Sequence, residues 1–187
     1  MPRSKGFSII ELMIAITIFA ILLSFGLPSY SIYLQNAKIR STAESIQGGL
    51  QQARAEGLKR NAPVAFILTS SEALSTTATF APSASGPNWV TVATTGTDRY
   101  IDGRPAAENN GGVTITGATP TITFNALGAN DLLADAQFDI RGRQAADDSN
   151  CEPNGNKLRC LRVTVTPGGQ VRMCDPAVAA VGDTRRC

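Results

Sequence analysis

From Phe7 to Leu27 the chain is an almost unbroken apolar run in which Glu11 is the only charged residue. About 20 apolar residues span a bilayer as a helix, at 1.5 Å of rise per residue against roughly 30 Å of hydrocarbon. The pattern therefore predicts a membrane-spanning helix over residues 7–28. Gly26 and Pro28 interrupt it; Pro28 lacks a backbone donor and crowds the preceding turn, which predicts a kink at the headgroups or a locally melted stretch. Further on, Ile39, Ala43, Ile46, Leu50, Ala53 and Gly57 recur at spacings of three and four. That places them on one face of a helix, with Lys38, Arg40, Glu44, Gln51, Arg54 and Glu56 largely on the others. Residues 29–62 are thus read as an amphipathic continuation that packs its apolar stripe on a head and ends at Asn61-Ala62-Pro63.

After Pro63 the period changes from helical to two. Val64–Thr69, Trp89–Thr94, Val113–Thr116, Thr121–Phe124, Gln137–Ile140 and Leu161–Thr166 read as short strands, separated by Gly/Pro/Asn turn signals. Gln170–Cys174 completes a hairpin with Leu161–Thr166 across Pro167-Gly168-Gly169. The Ser/Thr/Ala-rich stretch from Ser70 to Ser85 reads equally as loop or weak strand. The expected class is α+β: one long N-terminal helix packed on an antiparallel sheet head over residues 63–187.

Charge changes the picture at the N-terminus. The formal net charge is +2, but Arg3 and Lys5 precede the apolar run, and without them acidic and basic residues balance. Residues 1–6 form a short basic leader that holds this end in the cytoplasm and places the rest outside. Cys151, Cys160, Cys174 and Cys187 then lie in an oxidising compartment, spaced unlike zinc ligands. Two disulfides are expected, with three connectivities to choose from. Cys151–Cys160, closing an Asn/Gly-rich turn, and Cys174–Cys187, tying down the tail, are favoured, each contributing about 3 kcal/mol.

Glu11 is the sharpest signal. A charge at membrane depth costs several kcal/mol and is usually kept for a partner. A secretory signal has a shorter apolar region and no carboxylate, and an inert anchor leaves Glu11 unexplained. Gly6-Phe7-Ser8-Ile9-Ile10-Glu11-Leu12, after its basic leader, resembles the processing site of type IV prepilins and type II secretion pseudopilins. The resemblance implies cleavage by a prepilin peptidase between Gly6 and Phe7, N-methylation of Phe7, and pairing of Glu11 with the amino terminus of a neighbouring subunit. Pairing would offset much of the cost of two isolated charges and fix subunit register. The competing reading is a Glu11 that snorkels to the headgroups.

The head resembles minor pilins and pseudopilins of the GspH/FimT type, through Ser45–Val64, Thr123–Gly128 and Arg159–Pro176. Leu50, Ala53, Arg54, Glu56 and Arg60 approximate that group's helical pattern, with Gly57 in place of Ala. The resemblance implies a pilin fold with two small sheets and a minor subunit that helps start assembly at a filament tip. It also implies other major and minor pilins, the peptidase and an inner-membrane assembly platform as partners. The subunit would be single-pass in the inner membrane with a periplasmic head, and at the cell surface once assembled.

Two alternatives accompany this reading: a minor pseudopilin of a type II secretion system, and a DNA-binding pilin for uptake. The DNA-binding relatives carry Gly-Arg-x-Arg where this chain has Gly169-Gln170-Val171-Arg172, which leaves Arg172, Arg185 and Arg186 as candidate contacts. The other reading of this basic tail is a solvated, partly salt-bridged surface.

No chemistry of its own is expected. The chain has no histidine, which excludes His-based triads, and it lacks a phosphate loop and a nucleophile elbow. No cofactor or metal is expected; Asp139 with Asp147 and Asp148 forms only a weak calcium candidate.

Overall fold

The computed structural model describes residues 6, 8–71, 80–96, 99–104, 112–142, 151 and 158–187; the side chains of 23–29 are outside this set. One helix, α1 (Ile9–Arg60), is followed by eight strands: β1 (Val64–Thr69), β2 (Asn88–Ala93), β3 (Tyr100–Arg104), β4 (Val113–Gly117), β5 (Thr121–Phe124), β6 (Ala136–Gly142), β7 (Leu161–Val165) and β8 (Val171–Cys174).

α1 has 52 residues, which is about 78 Å at the usual rise. It continues through Gly26 and Pro28 as one element, where the sequence suggested a kink or a locally melted stretch; the helix does not melt there. Proline removes one ladder bond, and the bonds of the flanking turns suffice to carry the helix across it. The end falls where expected. Asn61 takes the left-handed conformation (φ 49°), and the Ala62 N–H closes onto the Gly57 carbonyl at 3.3 Å. Lys59 and Arg60 complement the negative end of the helix and both hold Glu56, whose carboxyl they keep below the ordinary carboxylate range.

The strands form two antiparallel four-stranded sheets, ordered β3-β2-β1-β5 and β4-β6-β7-β8. The chain builds three strands of the first sheet, lays β4 in the second, and returns with β5 to the first. Both sheets pack on the second half of α1, whose stripe Ile39, Ala43, Ile46, Leu50 and Ala53 is wholly buried. Opposite it lie Phe66, Phe124 and Phe138, with Trp89 stacked on Phe66 at 5.6 Å and Phe138 edge-on to it at 5.7 Å. The Trp89 indole N–H donates to Ser45 Oγ at 3.0 Å, satisfying the one polar atom the ring brings into the core. β2 is buried throughout, because Trp89 faces the helix while Val90 and Val92 join Ala65, Phe80 and Tyr100 on the other face.

Strand bounds agree with the sequence reading to within a residue or two. The unexpected strand is β3, because Asp102 and Gly103 weaken its pattern. At the same edge the Asp102 carboxylate accepts the Gly103 N–H at 2.8 Å, occupying an edge donor that would otherwise seek another strand. Of the Ser70–Ser85 stretch, residues 72–79 lie outside the described set; Pro82 bridges to Thr69.

Cys151 is bonded to Cys160 and Cys174 to Cys187, with Cα separations of 5.4 and 5.1 Å. Ala177 of the tail packs on the first disulfide while the second pins the tail's end, so both constrain one corner of the head.

Two predictions follow from this packing. An ideal Cβ on Gly49 would lie 2.8 Å from the Trp89 ring, whereas one on Gly48 meets open space. Gly49→Ala is expected to lower stability by about 1–3 kcal/mol, and Gly48→Ala to raise it by up to about 1 kcal/mol. Thermal unfolding of the two variants should therefore shift in opposite directions. Replacing Cys174 and Cys187 together by Ser is expected to cost about 3 kcal/mol in urea unfolding, leaving the Cys151–Cys160 bond intact by mass spectrometry.

Candidate functional site

The side chains of the first half of α1 are not packed against the head among the described residues. Ile9, Met13, Ile16, Phe19 and Leu22 are exposed, as are the residues between them, and soluble domains rarely leave so long an apolar surface bare. The polar Thr17 is satisfied within the helix: its hydroxyl bonds the carbonyls of Met13 at 3.0 Å and Ile14 at 2.8 Å. That arrangement suits an apolar surrounding, since no hydroxyl is left seeking water. Glu11 sits in the first turn, exposed among these apolar side chains. Ser8, the N-cap, is extended and makes no side-chain cap bond.

Gly6 is exposed, and a Cβ there would meet nothing within 4 Å; Phe7 lies outside the described residues. Among the described residues no helix is long and apolar enough to cross a membrane. The apolar run read from the sequence extends over Phe7 and residues 23–28, of whose side chains nothing is described.

At the other end of the molecule the tail brings the three candidate arginines together. Arg172 on β8 donates through Nη2 to the Arg186 carbonyl at 3.4 Å, and Arg186 bridges to Asp175 in parallel register. Arg185 is held by Asp183 at 2.7 Å. The Arg185 side chain, and then its backbone N–H, hold the Asp183 carboxyl at a pKa of about 2. All three arginines are exposed, on the corner closed by Cys174–Cys187.

Of the weak calcium candidate, only Asp139 is among the described residues. Asp139 is paired with Arg162 at 2.6 Å and with Arg141 at 3.2 Å, while Asp147 and Asp148 lie outside the described residues. Among the described residues no group of three or more His, Cys, Asp or Glu side chains could hold a metal ion.

Two features carried no sequence signal. A polar cleft of about 450 Å³ lies between α1 and the β3 edge, lined by Ser41, Ser45, Gln52, Trp89, Asp102 and Arg104 among others. Near the end of α1, the Nε of Arg54 is buried with no hydrogen-bond partner among the described residues.

Residues 1–27 match the prokaryotic N-terminal methylation motif, and residues 42–169 match the family described as type II transport protein GspH. Among curated proteins none matches the chain. Two crystal forms of the type IV minor pilin FimU of Pseudomonas aeruginosa (strain PAO1) share the fold. In one, 80% of this chain covers 97% of FimU with a TM-score of 0.55 at 13% identity. In the other, 76% covers 97% with a TM-score of 0.50 at 14% identity. At such identities the likeness is one of fold: a long helix under two antiparallel sheets. With more than half of its length inside the GspH match, a methylation motif at its start and this fold between, the chain belongs to the GspH family of type IV pilin-like proteins.

Proposed function

We propose that this chain is a minor type IV pilin: a structural subunit, not an enzyme, that helps start filament assembly at the tip. The observation that carries the reading is the bare apolar half of α1 with the single carboxylate of Glu11 in its first turn. A membrane accepts that surface before assembly, and the apolar helices of neighbouring major and minor pilins accept it afterwards. Prepilin peptidase cuts between Gly6 and Phe7, and the Phe7 amine is methylated and lies against the Glu11 carboxylate of an adjacent subunit. An inner-membrane platform then draws the subunit out of the bilayer, where its head had faced the periplasm.

The family description favours a second reading, a minor pseudopilin of a type II secretion filament. Adjacent minor pilin genes support the pilus, and adjacent secretion genes the pseudopilin. The clustering of Arg172, Arg185 and Arg186 favours a third, DNA capture during uptake, although Asp183 already occupies Arg185 and Gln170 stands where DNA-binding relatives have Arg.

Glu11→Ala is expected to leave membrane insertion intact, by carbonate extraction, and to reduce recovery in sheared filaments by about tenfold or more, as loss of a buried charge's partner should. Normal recovery would overturn the pairing. For the DNA reading, the chain should retain duplex DNA on filters at low salt and release it at high salt, with Arg172→Ala and Arg186→Ala each weakening retention. An absence of retention at low salt removes that reading.

A further inference from the structure

We propose that Arg54 is an anion receptor near the end of α1, through which the head clasps a carboxylate on a neighbouring subunit. The proposal rests on the filament-subunit reading above and assigns it a second contact, far from Glu11.

Arg54 is partly buried, its Nε has no hydrogen-bond partner, and no ion pair joins it to a carboxylate among the described residues. Its helical neighbours at three and four residues are Leu50, Gln51, Gly57 and Leu58, none of them acidic. Glu56, the nearest acid on the helix, is held by Lys59 and Arg60. A cation half-removed from water without a counter-charge is costly, and proteins usually supply a partner for it.

The cradle around it is rigid. Gly128 and Gly169 both have positive φ, at 74° and 77°, and a Cβ on Gly169 would collide with the Gly128 carbonyl oxygen. Ideal Cβ atoms at these two positions would lie 3.0 and 3.3 Å from Arg54 Nε, so the two turns rest directly on the guanidinium. The Asn125 carboxamide oxygen fixes the first turn by accepting the N–H groups of Leu127 at 2.9 Å and Ala129 at 3.2 Å. Asn130 ties the first turn to the second, donating from Nδ2 to the Thr166 carbonyl at 2.8 Å and from its backbone N–H to that of Pro167 at 3.1 Å. The guanidinium is thus oriented before any partner arrives.

The rim is apolar. Leu127, 84% exposed, belongs to the first turn directly before Gly128, and Leu58, 50% exposed, lies 3.4 Å from where a Cβ on Gly128 would stand. A fixed arginine beside exposed aliphatic side chains is the composition of an interface anchor: the leucines exclude water while the two Nη groups, beyond the buried Nε, take a carboxylate in paired hydrogen bonds. Charge complementarity and the rim together specify an Asp or Glu flanked by aliphatic side chains. Nucleic acid would leave the leucines in water.

The full-length chain with a photoreactive residue at Leu127 tests this in filament-producing cells. The expected crosslink joins position 127 to a pilin peptide carrying an Asp or Glu beside aliphatic residues. Arg54→Glu and Arg54→Gln should each lower that crosslink about tenfold, as loss of an anchor does. Lysine at the partner acid should restore it for Arg54→Glu alone. A merely structural Arg54 would instead lower the melting temperature and show no charge-swap rescue. The proposal is overturned if filaments containing the wild-type chain give no crosslink at 127, if the crosslink is indifferent to Arg54→Glu, or if the swap fails in a variant that melts normally. Absence of the wild-type chain from filaments overturns the filament reading and this proposal together; presence in filaments without the crosslink overturns only the latter.

Discussion

A single helix has to satisfy two surroundings, and the rest of the structure depends on how it does so. Over its second half α1 offers the narrow apolar stripe of Ile39, Ala43, Ile46, Leu50 and Ala53, and both sheets must share it. A stripe of five modest side chains cannot fill that space alone. The bulk comes from the sheets, as Phe66, Trp89, Phe124 and Phe138, while the helix stays slim enough to admit them. Gly49 is the extreme case, reduced to backbone beneath the indole of Trp89. The first half makes the opposite choice: it is apolar all round, which fits a lipid or protein surrounding rather than a groove on its own head.

The long-range architecture follows from local chemistry only in part. The change from helical spacing to period two at Pro63 was legible, as were the strands rich in Val, Ile, Thr and Phe, because their face-by-face burial is the pattern itself. So were the buried stripe and the helix stop at Asn61. β3 escaped because a strand with Asp and Gly carries a turn's composition; its order comes from pairing with β2, which no local pattern encodes. The splitting of strands into two sheets was equally silent in spacing and came only through likeness to a family.

The functional surfaces divide in the same way. Glu11 stands out in sequence because a lone carboxylate in an apolar run contradicts its neighbours. Arg54 does not, since an arginine among Gln51, Glu56 and Arg60 looks like any solvated helix face. Its burial depends on two glycine turns, around Gly128 and Gly169, that arrive from positions far along the chain. The basic tail was legible as composition, but its grouping rests on the Cys174–Cys187 bond and on the bridge between Asp175 and Arg186.

The return of β5 to the first sheet has a consequence for how the head forms and fails. β1 lies between β2 and β5, so the first sheet is incomplete until the chain has already committed β4 to the second. Neither sheet is assembled from one contiguous stretch of sequence, and both are tied to the same stripe of α1. Such non-local pairing slows folding, because loops must close before their contacts repay the lost entropy. It also makes the head a single cooperative unit. A pull along the helix axis therefore meets both sheets together, loaded in parallel and not one after the other.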